Sequence, residues 1–296
     1  MCQQTAKPLI QDQIVFHGAG SMAEAIVRGL ISRSVIHADH IVMLNRSSSE
    51  RLAELRSRYG VTGSNDPAQK DAYLASAPVI VLAMKPKDAA AALRALGPIL
   101  NENQLIVSVI AGLSIRTMQG LLGRKQPVVR TMPNTSSSIG LGATGIAFSK
   151  EVSEEQRRLS LNIFEAVGIT SVIDEERMET LTGISGSGPA YIYYMMEAMI
   201  AAGIRGGLTK EQSSELTIQT VLGAARMVQQ TGEEPADLRK KVTSPGGSTQ
   251  AALEVLDKGD FFETVIAAVS RCAERSREMG TALDQELVKD KETEEA

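Results

Sequence analysis

Ile14-Val15-Phe16-His17-Gly18-Ala19-Gly20-Ser21-Met22-Ala23 is the stretch on which the reading of this 296-residue chain turns. A short apolar run stops at a G-x-G-x-x-A turn, and a helical pattern follows with Met22, Ile26, Gly29 and Leu30 on one face. Strand, glycine turn and helix in that order are the context that a dinucleotide-binding fingerprint demands. Gly18 allows the tight turn, Gly20 lets the backbone approach a pyrophosphate, and small Ala23 lets helix and strand pack closely.

The next strand, Ile41-Val42-Met43-Leu44, ends in Asn45-Arg46-Ser47 rather than in a carboxylate. Asp or Glu at that place grips a ribose 2′-hydroxyl and repels a 2′-phosphate, whereas an amide, a guanidinium and a hydroxyl can all donate to one. NADPH is therefore favoured, with NADH as the alternative donor. Further strands are expected over residues 79–83, 105–111 and 128–132, with helices between them at 87–96 and 114–122. Their near-continuous apolar character fits a parallel sheet buried on both faces, in which ligands sit beyond the carboxyl ends of the strands. That rule places Met84-Lys85-Pro86, Ala111-Gly112 and Pro133-Asn134-Thr135 along the crevice. Lys85 has two readings of equal weight, contact with cofactor or water and plain solvation of a loop.

Composition narrows the class. The apolar share is 43%, aromatics are 3% and there is no Trp, so the cores must be built from Ala, Leu, Ile, Val and Met. A net charge of −4 and a pI near 5.6 argue against nucleic acid as a partner. No apolar stretch reaches the length of a membrane span, and Met1 to Lys7 lacks a signal-peptide core. Cys2 and Cys272 are too few and too far apart for a metal site or disulfide framework. A reduced, cytoplasmic protein is expected.

In the second half, Ser153-Glu154-Glu155-Gln156 is a capping box that starts a helix of about 153–167, and residues 169–173 look like one more strand. From Met178–Thr182 to about Met279 the periodicity is helical, with helices at about 190–203, 209–232, 248–256 and 261–279, and a charged, frayed tail after Gln285. The expected organisation is an α/β Rossmann domain with a mostly parallel sheet over 1–174, followed by an all-α domain over 175–296. The helix holding Ile192, Tyr193, Met195, Met196, Met199 and Ile200 is apolar nearly all round, so a partner subunit is its natural cover and a homodimer is expected. Two glycine–serine stretches, Ser185-Gly-Ser-Gly-Pro-Ala-Tyr191 and Ser244-Pro-Gly-Gly-Ser-Thr249, each open a helix-like run and can aim backbone N–H groups at an anion. Plain turn-and-cap chemistry is the alternative for both.

The chain resembles the Δ1-pyrroline-5-carboxylate reductase family. The elements that carry the resemblance are Gly18-Ala-Gly-Ser-Met-Ala23, Ala83-Met-Lys-Pro86, Met132-Pro-Asn-Thr135, Thr182-Gly-Ile-Ser-Gly-Ser-Gly-Pro-Ala-Tyr191 and Val242-Thr-Ser-Pro-Gly-Gly-Ser-Thr249, in the family's order over nearly the whole chain. The resemblance implies NADPH-dependent reduction of 1-pyrroline-5-carboxylate to proline, a helical dimerisation domain, dimers often assembled into rings, and an active site between the NADPH domain and helices of the dimer. Cofactor contacts carried over by it fall on Gly18, Ala19, Gly20, Ser21, Met22, Asn45, Arg46, Asn65, Ala83, Met84, Lys85, Pro86 and Ala111. Substrate contacts fall on Glu175, Ser244, Pro245, Gly246, Gly247, Ser248 and Thr249, and Met1 to Gln11 have no assignable role.

The chemistry available to these residues agrees with that implication. The sequence offers no Ser/His/Asp set, metal cluster or paired catalytic carboxylates, and His17, His37 and His40 all fall in the first half. A carbonyl reductase must protonate an alkoxide as hydride arrives, whereas an imine can be protonated beforehand. Backbone N–H groups of residues 244–248 would hold the substrate carboxylate, and Thr249 would place a hydroxyl near the ring nitrogen, a positional contribution of about 10- to 100-fold. Rival readings are a hydroxyacid dehydrogenase or another cyclic-imine reductase on this architecture, and a nucleotide-binding regulatory protein without turnover.

Overall fold

The computed structural model describes residues 9–294, so Cys2 and the rest of the polar N-terminal stretch lie outside the described residues. The chain folds into two compact units, Ser187–Arg271 and the residues on either side of it.

The first unit is an α/β sandwich. Its strands are β1 (Ile14–His17), β2 (Ile41–Leu44), β3 (Thr62–Ser64), β4 (Val79–Leu82), β5 (Leu105–Ser108), β6 (Val128–Met132), β7 (Gly142–Phe148) and β8 (Gly168–Val172). Its helices are α1 (Ser21–Ser32), α2 (Ser49–Tyr59), α3 (Pro67–Ser76), α4 (Pro86–Leu96), α5 (Ile115–Leu122), α6 (Glu154–Glu165) and the single turn α7 (Met178–Leu181). Among the described residues the strands form one eight-stranded sheet in the order β3-β2-β1-β4-β5-β6-β7-β8. Every pairing is parallel except β6 with β7. Side chains of a strand alternate between faces. Ile14, Phe16, Ile41, Met43, Val81 and Val107 accordingly pack on Ile26, Leu30 and Phe164 of α1 and α6. On the other face Val15, Val42, Ile80, Leu82 and Ile106 pack on Leu74, Leu93 and Met118 of α3, α4 and α5. The sheet order reverses between β1 and β4, which opens a crevice at their carboxyl ends.

Several expectations are corrected by this architecture. The sequence pattern does not predict β3 or β7, since Thr-Gly-Ser is short and glycines at 142 and 145 weaken a strand pattern. β5 stops at Ser108, where the chain turns out of the sheet toward Gly112. The Ser185–Tyr191 stretch does open a helix, at Gly188, but what precedes that helix is not a plain turn: Thr182–Gly186 form a π-helical segment that continues α7. The Ser185 and Gly186 amides therefore fall inside the π run, and Ser187 stands as the N-cap of the helix that follows.

The second unit holds α8 (Gly188–Arg205), α9 (Lys210–Thr231), α10 (Pro235–Lys241), α11 (Ser248–Lys258) and the start of α12 (Phe261–Glu294). The last helix runs past the expected end near Met279 and through the charged tail. That segment contains no proline, and its Glu, Lys, Leu and Ala residues have high helix propensity. A capping box at Thr209 and Gln212 opens α9, and Ser213 of α9 meets α8 where Gly203 leaves room for it. Among the described residues of this unit only Ser213 and Thr217 are buried, and no apolar side chain is. Tyr194, Leu216, Val255 and Phe262 are more than half exposed, with Ile192 and Ile266 close behind. Each such side chain would contribute about 1.5–3 kcal/mol on full burial, so a unit left in this state calls for a partner surface. Phe262→Glu should therefore shift the protein toward monomer at micromolar concentration in light scattering. An unchanged dimer would show that this face lies outside the contact.

Candidate active site

The site begins where β1 ends. Gly18 has φ +124°, and a Cβ on it would lie 2.5 Å from the Ala83 carbonyl oxygen and 2.9 Å from the Met84 nitrogen. Only glycine allows the turn after β1 to close so tightly on the turn after β4. The Gly18 N–H donates to the Leu44 carbonyl (3.0 Å) and the Ala83 N–H to that of His17 (3.0 Å), so the loop is fixed from both sides. Gly20 is different. It caps α1 without a side chain, and a Cβ there would meet nothing nearer than the Ala83 oxygen at 4.0 Å. The N–H groups of Ser21, Met22 and Ala23 have no intrahelical partner, since Glu24 is the first to close a turn, on the Gly20 carbonyl (3.0 Å). Open space in front of an uncapped helix start suits a phosphate, favoured by about 0.3–1 kcal/mol for each interaction with the helix dipole.

Arg51 of α2 braces this loop, and no motif announced it. Its Nε donates to the Ala19 carbonyl (3.1 Å), and its guanidinium pairs with Glu24 and with Glu54 (2.7 Å). Arg58 Nη1 and the Tyr59 hydroxyl also donate to Glu24, at 2.8 and 2.7 Å. Burial alone would raise the pKa of Glu24, but hydrogen bonds from Arg51, Tyr59 and Arg58 outweigh it and lower the value from 4.5 to about 2. The carboxylate thus stays charged and locks α2 against the start of α1.

At the end of β2, Asn45 Oδ1 accepts from the N–H groups of Ser47 (3.1 Å) and Ser48 (3.2 Å), an Asx turn that fixes the following loop. Arg46 is 82% exposed and pairs with Asp88 of α4 at 3.0 Å. Asn65 Nδ2 reaches back to the Ser47 carbonyl at 3.5 Å. Pro86 opens α4, and Lys85 before it is exposed and caps the helix with no side-chain bond. A groove of about 410 Å³ runs past these elements, lined by His17, Gly18, Leu44 and Arg46 on one side and by Leu74, Met84 and Ala91 on the other. Burial first, then the charge of Lys70, lowers the His17 pKa to about 4 against the opposing pull of Asp71, so its imidazole is neutral. The apolar walls, the glycine loop and the Arg46 guanidinium at the rim together fit an adenosine with its phosphates.

Farther along the sheet edge, Ala111 is exposed in the turn after β5, next to Gly112 at φ +77°. Asn134 is buried, with Nδ2 donating to the Ser185 carbonyl (3.0 Å) and Oδ1 accepting from the Ala143 N–H (3.3 Å). Glu175 is engaged through one carboxylate oxygen. Its Oε1 accepts from the Ile115 N–H at the start of α5 (2.7 Å) and from Arg130 (3.2 Å), whose other arm holds Glu179 (2.7 Å). Arg130 is only 7% exposed, so removing either carboxylate would weaken a buried ion triad.

The second unit carries the other candidate. Pro245 and Gly246 (φ +71°) form a turn in which the Gly247 N–H donates to the Ser244 carbonyl (3.0 Å). The Gly246 N–H donates to Gln250 Oε1 (2.7 Å). Two of the amides expected to face an anion are thus used inside the loop. What remains is the start of α11, where Gly247 provides no side-chain cap and Ala251 is the first residue to close a turn, on Gly247 (3.2 Å). The N–H groups of Ser248, Thr249 and Gln250 at this start have no intrahelical partner and can receive an anion, with the Thr249 hydroxyl beside them. Gly18 to Met22, Asn45, Arg46, Asn65 and residues 83–86 thus gather at the carboxyl ends of β1, β2, β3 and β4. Ser244 to Thr249 gather in the other unit, and Glu175 is tied to α5 and Arg130.

Comparison with known proteins agrees with both halves. The family model described as Pyrroline-5-carboxylate reductase dimerisation matches residues 175–279, and that described as NADP oxidoreductase coenzyme F420-dependent matches residues 13–112. Pyrroline-5-carboxylate reductase 1 of Bacillus spizizenii is 43% identical over 93% of this chain and 92% of its own length. The Pseudomonas aeruginosa pyrroline-5-carboxylate reductase is 37% identical over 92% and 98%. Among solved structures, a pyrroline-5-carboxylate reductase from Coxiella burnetii superposes with a TM-score of 0.85 at 39% identity, covering 91% of this chain and 98% of that one. Pyrroline carboxylate reductase of Plasmodium falciparum, solved with NADP bound, gives 0.81 at 30% identity over 91% and 98%. With its fingerprint turn, its uncapped α11 start and this similarity along nearly the full length, the chain belongs to the pyrroline-5-carboxylate reductase family.

Proposed function

We propose that the protein reduces the C=N bond of 1-pyrroline-5-carboxylate to L-proline with NADPH, the last step of proline biosynthesis, and that it works as a homodimer. The observation that carries this reading is a pair of uncapped helix starts, α1 after Gly20 and α11 after Gly247, each suited to an anion. In this reading the first binds the cofactor pyrophosphate and the second the substrate carboxylate. Arg46 donates to the 2′-phosphate, with Asn45 and Asn65 shaping the loop around it. Ala83, Met84, Lys85, Pro86 and Ala111 border the cofactor along the strand ends. Assembly of dimers into rings and a cytoplasmic location follow the family resemblance and the composition.

The reduced nicotinamide supplies the hydride when bound. The residues of this chain hold and orient the acceptor. The amides of Ser248, Thr249 and Gln250 grip the carboxylate, and the Thr249 hydroxyl sits within reach of the ring nitrogen and fixes the presented face of the ring. Protonation of that nitrogen precedes hydride arrival, so the positive charge already lies on the C=N bond. Hydride addition to the ring carbon returns the electron pair to nitrogen and leaves a neutral secondary amine. No side-chain acid has to deliver a proton in that step, which suits a chain whose described histidines all belong to the first unit. Glu175 contributes indirectly, by holding Arg130 and the start of α5.

The direct test follows loss of NADPH absorbance with 1-pyrroline-5-carboxylate beside 2-keto and 3-hydroxy acids. Turnover of the imine is expected; turnover of the hydroxy or keto acids alone would favour a dehydrogenase, and binding without turnover a regulatory role. Thr249→Ala should lower kcat by about 10- to 100-fold and leave NADPH affinity intact. An unchanged kcat would remove Thr249 from the mechanism. Gly20→Ala should fold with only a modest loss of Tm, because its Cβ would meet nothing nearer than 4.0 Å and the loss is that of a glycine N-cap, yet weaken NADPH by about tenfold where the pyrophosphate approaches the backbone. A variant that loses Tm and keeps its NADPH affinity would place the pyrophosphate elsewhere.

A further inference from the structure

We infer that Asp88 is a specificity-determining residue for the cofactor: its carboxylate competes with the 2′-phosphate for Arg46 and so narrows the preference for NADPH over NADH. The inference rests on the reading above in which Arg46 meets that phosphate. Arg46 and Asp88 are paired at 3.0 Å and both line the groove that runs from His17 and Gly18 to α4. Asp88 lies in the first turn of α4, and Arg46 in the loop that the Asn45 turn holds in place. An acidic group thus stands at the rim of a site whose sequence otherwise reads as phosphate-accepting.

Two effects of the pair oppose each other. The carboxylate could hold Arg46 ready over the groove, which would help a phosphate bind. It also neutralises the guanidinium and repels a dianion. Arg46 is 82% exposed, so the ion pair restrains it weakly and offers little preorganisation. The repulsion grows once the cofactor has displaced water from the groove, where the effective dielectric is lower. Competition therefore outweighs readiness. With NADH the ion pair stays intact, and Arg46 keeps a partner although no phosphate arrives. Lys70, Asp71 and Lys87 line the same groove and act on either dinucleotide, so they do not reverse the difference.

The test measures dissociation constants of NADPH and NADH, by calorimetry and by nicotinamide fluorescence, for the full-length wild type, Asp88→Asn, Asp88→Ala and Arg46→Gln. Both Asp88 variants should bind NADPH about two- to fivefold more tightly, leave NADH unchanged, and lose most of the gain at 0.5 M salt. Equal changes for the two cofactors, no change, or weaker NADPH binding would overturn the inference. Arg46→Gln separates the two levels of the argument. If it weakens NADPH far more than NADH while the Asp88 variants behave as wild type, the 2′-phosphate reading stands and the role of Asp88 falls. If it weakens both equally, the 2′-phosphate reading falls and the role of Asp88 with it.

Discussion

The first unit depends on how closely two turns approach at the switch point of its sheet. With Gly18 at φ +124° and its α-carbon against the Ala83 carbonyl, the ends of β1 and β4 close to a separation that any side chain would prevent. This closure aims the start of α1 along the crevice and leaves the amides of Ser21, Met22 and Ala23 unpaired there. It also sets the floor of the groove beside Leu44 and Met84. The ion cluster around Glu24 then fixes the remaining freedom, because Arg51 reaches both the carboxylate and the Ala19 carbonyl. In the proposed reading, the dinucleotide site follows from this backbone geometry, and side chains tune it.

The second unit follows the opposite logic. Its helices are bonded within themselves, with a capping box on α9 and no side-chain cap on α8, α10 or α11, yet their apolar faces remain open, and among its described residues only two small hydroxyl residues of α9 are buried. A helical unit of this kind gains stability from tertiary contacts that one copy does not provide. Residues 175–279 match a family model described as a dimerisation domain, which supports self-association through this part of the chain. Substrate recognition placed on such a unit becomes linked to assembly, since the helix that presents Thr249 is itself among those with uncovered apolar residues, Val255 and Leu256.

Much of this was legible in the sequence, and the failures have physical causes. Apolar runs at 14–17, 41–44, 79–83 and 128–132 fall where strands form, because a parallel sheet buried on both faces leaves little choice of residue. β7 escaped notice since its glycines accommodate Ser137, Leu181 and the Val167 carbonyl, a packing reason with no local signature. Ser185–Gly186 looked like a turn before a helix, but nothing in composition separates such a turn from a π segment. Ser244–Thr249 reads in the sequence as a glycine–serine stretch that opens a helix, and α11 does start there. Which of its amides are free is not legible, because that depends on Gln250 folding back onto Gly246. Likewise Glu175 reads as an isolated acid until Arg130 and Ile115 are seen around it.

Two anion-receiving helix starts, one for a dinucleotide and one for a carboxylate, are the core of this account, and the reaction follows because an imine needs orientation more than it needs acid. The measurement that addresses this most directly is a crystal structure of the full-length protein with NADP⁺ and proline. The carboxylate of proline should lie within hydrogen-bond distance of the Ser248, Thr249 and Gln250 amides, and the cofactor pyrophosphate against those of Ser21 and Met22. Proline bound elsewhere, with the start of α11 facing only solvent, would contradict the account.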